Sequence, residues 1–208
     1  MKLYLSSEGL GNKRYILEEW KKQNGNKVLV IPNAKDYLSE ENRKKKIIEK
    51  TTDLIELGFE IKVLDLKKYF NSQNLQKDIK DYKCFFVMGG NVFILRQAMY
   101  LSGFDTYLKQ IANKEDYLYI GYSAGSCVLS PTLKGLDIVD NPINPYNKDK
   151  IIFDGLGLID YIFIPHYKSN NKVSHKMEKV VEMLRINKIK YKAFNEIETI
   201  IEDSDISN

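Results

Sequence analysis

The chain has 208 residues, of which 43% are hydrophobic and 12% aromatic, enough to bury one core without a disulfide or metal, and this predicts a single domain over residues 1–208. Its 32 basic and 28 acidic residues leave a net charge of +4 that is spread along the chain, so we do not expect nucleic-acid binding. No run approaches the ~20 apolar residues of a membrane span, and the first residues lack the apolar run of a signal peptide, so we expect a cytoplasmic protein not bound to a membrane.

Short β-branched and aromatic runs alternate with segments of helical period along the chain. The predicted strands are Lys2–Leu5, Lys27–Ile31, Phe59–Leu66, Cys84–Met88, Tyr117–Gly121 and Tyr161–Ile164. The predicted helices are Ser39–Leu57, Val92–Leu101 and Lys172–Arg185. Several strands are apolar throughout, which is typical of a parallel sheet covered on both faces. The alternation therefore predicts an α/β fold with a mostly parallel central sheet between two helical layers.

A serine framed by glycines follows the fifth predicted strand. The stretch Gly121-Tyr122-Ser123-Ala124-Gly125 lies between that strand and a short predicted helix over Ala124–Leu129. A nucleophile elbow has this order, because small residues two before and two after the serine let strand and helix approach closely. The five-residue match is weak by itself, and the flanking strand and helix make Ser123 a candidate nucleophile.

Two adjacent glycines end the fourth predicted strand, in Val87-Met88-Gly89-Gly90-Asn91. One interpretation is an oxyanion hole, in which the Gly90 and Ala124 N–H groups point at the same developing negative charge. The plainer alternative is a tight turn with Asn91 as a helix N-cap. The sequence alone does not decide between these two interpretations.

Only two histidines are present, His166 and His175. His175 falls near the polar beginning of a helix, where a surface position is expected. His166 follows the sixth predicted strand, whose end we expect at the same sheet edge as the two glycine loops. A general base must come within ~2.6–3.2 Å of the serine oxygen, and His166 is the histidine placed to do so.

A third group should orient the imidazole of His166, and we expect it between Ser123 and His166. The acidic residues of that interval are Asp137, Asp140, Asp149, Asp154 and Asp160. Asp140 lies where an extended run breaks into the turn before Pro142, and Asp137 lies close behind it. The residues themselves leave Asp140 and Asp137 as alternatives.

Taken together, the motifs Gly89-Gly90-Asn91, Gly121-Tyr122-Ser123-Ala124-Gly125-Ser126 and Pro165-His166-Tyr167 resemble the serine peptidase family of aspartyl dipeptidase (dipeptidase E) and cyanophycinase. The resemblance implies a class I glutamine amidotransferase-like fold, with Ser123 as nucleophile, His166 as general base, and the Gly90 and Ala124 amides as oxyanion hole. It favours Asp140 as the acidic member, and it implies no metal or organic cofactor.

The resemblance implies hydrolysis of short peptides through an acyl-enzyme, and homodimers are common for such folds. The dipeptidases prefer an N-terminal Asp, which requires a cation in the pocket; Lys176 is the best candidate here. Two alternatives are an esterase-type serine hydrolase and a non-catalytic binding protein for small molecules. A glutamine amidotransferase is disfavoured because it would need Cys at position 123.

Overall fold

The structure, a computed structural model of the chain, describes residues 1–70, 72, 74–146 and 150–204. Its strands are β1 (Lys2–Ser6), β2 (Lys27–Ile31), β3 (Glu60–Val63), β4 (Cys84–Val87), β5 (Leu118–Tyr122), β6 (Ile162–Ile164), β7 (Tyr191–Ala193) and β8 (Thr199–Asp203). Its α-helices are α1 (Arg14–Asn24), α2 (Glu40–Glu56), α3 (Leu75–Ile79), α4 (Val92–Ser102), α5 (Phe104–Ile111), α6 (Ala124–Cys127) and α7 (Ser174–Ile186). No helix of these described ranges is long and apolar enough to cross a membrane.

Six strands form the central sheet, in the order β3-β2-β4-β5-β1-β8. Strands β1 to β5 run parallel to one another, and β8 is antiparallel to β1 at one edge. Strands β4 and β5 are buried along their whole length, which agrees with their continuous apolar sequence. The mostly parallel sheet predicted from the sequence is therefore confirmed.

Alternate residues of each strand enter two separate cores, because successive side chains of a strand point to opposite faces. On β4, for example, Phe85 and Val87 pack on one face, while Cys84 and Phe86 pack on the other. Helices α1 and α2 cover the second face, and α3 to α7 cover the first. The result is a sandwich of three layers.

The sixth predicted strand does not lie where the sequence suggested. β6 is not part of the central sheet; it pairs in parallel with β7 in a separate two-stranded sheet, with Ile164 opposite Ala193. The edge of the central sheet beyond β1 is instead occupied by the antiparallel strand β8. The residues that follow β6 and β7 therefore approach the sheet edge from this second sheet.

Candidate active site

Ser123 lies in a one-residue turn between β5 and α6. Its backbone has φ 49° and ψ −118°, a region that non-glycine residues rarely adopt and that is found where neighbouring structure holds it. A Cβ added to Gly125 would lie 2.1 Å from the Val87 carbonyl oxygen. Only glycine therefore permits the close contact between the turn and β4 that holds Ser123 in this conformation.

His166 reaches Ser123 from the loop after β6. Its Nε2 atom lies 3.1 Å from the Ser123 Oγ atom, within hydrogen-bond distance. Its own N–H donates to the Ser7 Oγ atom at 2.7 Å, and the Ser123 N–H donates to the Ser6 carbonyl at 3.1 Å. Both loops are thus tied to the end of β1, and the His166 side chain is almost fully buried, with 6% exposed.

The other ring nitrogen of His166 faces Glu196. The Nδ1 atom lies 3.0 Å from the Glu196 Oε2 atom, and Asn171 donates to the Glu196 Oε1 atom at 3.1 Å. Since a carboxylate only accepts, Nδ1 carries the proton and Nε2 is left to accept the Ser123 hydroxyl proton. Ser123, His166 and Glu196 thus form one continuous hydrogen-bonded chain.

The ionised form of Glu196 is favoured in this position. Burial raises the pKa of its carboxyl, but the hydrogen bonds from Asn171 and His166 outweigh burial, so the pKa lies below its usual value. Glu196 is therefore a carboxylate at neutral pH and can balance a positive charge on the imidazole of His166.

Neither aspartate proposed from the sequence occupies the position beside Nδ1. The Asp140 carboxylate accepts instead from the Val92 N–H at 2.8 Å, at the beginning of α4. Asp137 is exposed and accepts from the Gly135 N–H at 2.8 Å. Asp149 lies outside the described residues. The expected Asp140–His166 pair is thus corrected to a Glu196–His166 pair.

Glu196 follows His166 in the chain and so lies outside the interval between Ser123 and His166, where the sequence predicts the third group. The available signal was the extended run Tyr191–Ala193, which ends in the loop that carries Glu196. Because β6 and β7 are parallel and in register, the residues just beyond their ends lie side by side. A strand predicted over 191–193 would have placed Glu196 beside His166, as a candidate for the acidic member.

Gly90 and Ala124, whose N–H groups are proposed to form an oxyanion hole, line the same cavity as Ser123. Gly90 has φ 151°, and a Cβ there would lie 2.3 Å from the Ala34 carbonyl oxygen. Within the described residues, neither the Gly90 nor the Ala124 N–H donates to a protein acceptor. The tight turn with an Asn91 N-cap, the alternative interpretation of the sequence, is also present, because the Asn91 side chain accepts from two N–H groups of α4.

A cavity of about 550 Å³ opens beside Ser123. Its lining combines apolar side chains with polar groups that include Ser123, His166 and Asp140. A volume of this size suits a small molecule rather than a folded protein.

Asp140 is the carboxyl group of this cavity. Burial raises its pKa to about 6, against the hydrogen bond from the Val92 N–H, the positive charge of Lys176 and the neighbouring His166 ring, which lower it. Tyr37 and Cys127 line the same cavity, and the pKa of each is raised by burial and, to a smaller extent, by the Asp140 charge.

Replacing Asp140 with asparagine should stabilise the protein at high pH. The folded chain binds this proton up to about pH 6, whereas an unfolded Asp releases it near 3.8. The native state therefore binds more protons in this window, and wild-type stability falls as the pH rises through it. We expect Asp140→Asn to be more stable at pH 8 by about 1–3 kcal/mol, or several degrees in Tm.

Below pH 4 this advantage should disappear, since the wild-type carboxyl is then protonated in both states. Thermal unfolding at pH 4 and pH 8 measures it, and the exposed Asp137→Asn is the matched control, with no pH-dependent gain expected. An Asp140→Asn variant that is less stable than wild type at pH 8 would contradict this view.

Glu8 completes a possible cation site with His166 and Glu196. Their ligand atoms lie within 4.8 Å of one another. However, Glu8 pairs with Lys50 at 2.6 Å, and Nδ1 of His166 is used by Glu196. The Glu8 charge is therefore compensated by Lys50, and the Nδ1 atom of His166 is already occupied by its hydrogen bond to Glu196.

Two solved structures share the fold. One is a protein of Listeria monocytogenes EGD-e provisionally named peptidase E, with a TM-score of 0.72, 23% identity and 98% of both chains covered. The other is a peptidase from an acI-B1 Actinobacterium, with a TM-score of 0.62, 19% identity, 98% of this chain and 83% of that chain covered. These likenesses confirm the class I glutamine amidotransferase-like α/β fold expected from the sequence.

Two relatives match part of the chain. An uncharacterized peptidase of Listeria monocytogenes is 34% identical over 97 residues, which cover 46% of this chain and 45% of that protein. An uncharacterized peptidase of Listeria innocua is 35% identical over 85 residues, 40% of this chain and 39% of that protein. The aligned stretches span less than half the length of these relatives.

The family model described as Peptidase family S51 matches residues 4–206, nearly the whole chain. The resemblance carried by the three sequence motifs is thereby confirmed, and the chain belongs to peptidase family S51, the dipeptidase E family.

Proposed function

We propose that this protein is a serine peptidase that hydrolyses short peptides, with Ser123 as nucleophile, His166 as general base and Glu196 as the acidic member of the triad. One observation carries the proposal: the hydrogen-bonded chain from Ser123 Oγ through both nitrogens of His166 to Glu196, with distances of 3.1 and 3.0 Å. A nucleophile, a base and an orienting acid in this order are what acyl transfer to serine requires.

The reaction begins when Nε2 of His166 takes the Oγ proton of Ser123. The serine oxygen attacks the scissile carbonyl carbon, and the electron pair of the C=O bond moves to its oxygen. The Gly90 and Ala124 N–H groups donate to this oxyanion. Protonated His166 then gives its proton to the departing amine, which leaves an ester on Ser123.

Water completes the cycle by the same steps in reverse. His166 takes a proton from the water molecule as it attacks the ester, and returns it to Ser123 Oγ when the acid product leaves. Glu196 stays ionised throughout and stabilises the imidazolium that forms twice in each cycle. Its lowered pKa suits this role, because the carboxylate does not take up the proton of the imidazolium.

The size of the cavity supports short substrates. About 550 Å³ is room for a peptide of a few residues. The loop 140–143 borders the cavity and is tied to α4, since the Asn91 side chain donates to the Asn141 carbonyl at 2.8 Å. This wall restricts the length of peptide that reaches Ser123.

The proposal is tested by incubating the purified chain with unblocked dipeptides and following the release of free amino acids. Wild type should release amino acids, and Ser123→Ala, with an unchanged Tm, should release none. Release that persists in Ser123→Ala would overturn the proposal, as would hydrolysis of aryl esters with none of any peptide, which would indicate an esterase.

A further inference from the structure

The charges that line the cavity beside Ser123 are unusual for a pocket that receives an acidic residue. Among the described residues, Asp140 and His166 are its charged or potentially charged lining groups, with no Lys or Arg in its walls. A substrate carboxylate entering this space would face the Asp140 carboxylate. The cavity is therefore better suited to a cation than to an anion.

Asp140 has acceptor capacity that the protein does not use. Within the part of the chain that the structure describes, its one hydrogen bond is from the Val92 N–H, and it forms no salt bridge. A carboxylate has two oxygens with about four acceptor positions. The free chain thus holds a half-buried carboxylate with room for a further charged donor.

The position of Asp140 matches that of a substrate's amino end. The carboxylate is held on the first residue of α4, Val92, two residues after the oxyanion donor Gly90. In an unblocked peptide cleaved after its first residue, the α-ammonium is separated from the scissile carbonyl carbon by one carbon atom. When that carbonyl contacts Ser123 and Gly90, the ammonium lies within a few ångströms of them, and Asp140 is the carboxylate that lines the same cavity.

We propose that Asp140 binds the α-ammonium of the substrate, and that the protein removes an apolar first residue from unblocked short peptides. This inference rests on the proposed function and names the substrate class of that site. The ammonium supplies the charged donor that Asp140 lacks, and the N–H···O⁻ bond it forms is of the strong, charge-assisted kind.

The apolar walls select the side chain of that first residue. They are formed by Leu136, Val139, Ile143, Val173 and Met177. Met177 and Leu136 are buried and the other three are partly or more exposed, so transfer of an aliphatic side chain from water to this surface is favourable. Leucine, methionine or isoleucine are the residues of suitable size.

Burial disfavours the negative charge of Asp140 while no substrate is bound. Its pKa is raised to about 6 because the surroundings disfavour its charge. Around neutral pH the carboxyl is nevertheless ionised, and a bound ammonium relieves that cost. The same balance underlies the stability gain expected for Asp140→Asn.

Lys176 is the cation that would argue for an acidic first residue. It acts on Asp140 through its charge, but it does not line the cavity and forms no ion pair within the described residues. To bind an aspartate side chain, Lys176 would have to move into the cavity, and the aspartate would still be repelled by the Asp140 carboxylate. We therefore expect Asp-Leu to be a poor substrate.

The test compares kcat/KM for Leu-Leu, acetyl-Leu-Leu and Asp-Leu on the purified full chain. Wild type should cleave Leu-Leu at least about 100-fold better than either other peptide. Acetyl-Leu-Leu has no ammonium to pair with the Asp140 carboxylate, and the side chain of Asp-Leu is repelled by it. In Asp140→Asn the ratio of Leu-Leu to acetyl-Leu-Leu should fall by about 100-fold. The neighbouring Asp137→Asn, whose side chain is outside the cavity, should keep the wild-type ratio.

Three results would overturn the inference: preference for Asp-Leu, equal cleavage of blocked and unblocked peptides, or an equal loss on both in Asp140→Asn. Reaction of Ser123 with a fluorophosphonate separates this failure from that of the proposed function. A labelled Ser123 with the wrong selectivity rejects only the substrate class. An unlabelled Ser123 with no peptide cleaved rejects both.

Discussion

Replacing either Ser123 or His166 with alanine should lower kcat/KM for dipeptide hydrolysis by about 10⁵-fold or more, and the double variant should be no worse than either single one. The two side chains act as one unit, since the Oγ–Nε2 contact of 3.1 Å makes each useless without the other. A serine without its base is a poor nucleophile, and a base without its serine has nothing to activate.

The controls for this experiment come from the chain itself. His175, the second histidine, is exposed in the first turn of α7, and His175→Ala should retain wild-type kcat/KM. Thermal unfolding of each variant checks that the fold survives. Losses that multiply in the double variant would show that the two residues act independently, contrary to the proposed triad.

Replacing Glu196 with glutamine should lower kcat by about 10³- to 10⁴-fold with little change in KM. A carboxylate accepts from Nδ1–H, whereas the amide of glutamine can donate to an unprotonated Nδ1. The imidazole would then carry its proton on Nε2 and could not accept the one on Ser123. The substitution is nearly isosteric, so substrate binding should be preserved.

Glu198→Gln is the matched control, because Glu198 lies in the same loop and accepts from the Asn195 N–H rather than from His166. Its kcat should remain within about twofold of wild type. If Asp140→Asn abolished kcat for blocked and unblocked peptides alike while Glu196→Gln were active, the assignment of Glu196 would be wrong and the original choice of Asp140 would be restored.

The central part of the fold could be predicted because its strands carry a local signal. Continuous apolar runs such as Cys84–Val87 are buried on both sides, and the glycine turns that follow them are required by close contacts. Strand pairing is not local. The run that became β6 looks like a strand of the central sheet, but each of its residues pairs with one 29 positions later, and the two strands form a separate sheet.

The candidate site was also predictable only where the sequence carries a local signal. Ser123 and His166 follow apolar strands and were found from that pattern, and the structure brings them together. Glu196 follows the half-exposed, three-residue strand β7, which has little hydrophobic pattern to mark it. Its pairing with His166 depends on the register of β6 and β7, a property of the folded chain.

The most direct test of the central claim is the reaction of the folded protein with a fluorophosphonate, followed by mass mapping of the adduct. The triad predicts one adduct, on Ser123, that is lost on unfolding and in Ser123→Ala and forms far more slowly in Glu196→Gln. An adduct elsewhere, or none on the folded chain, would contradict Ser123 as an activated nucleophile.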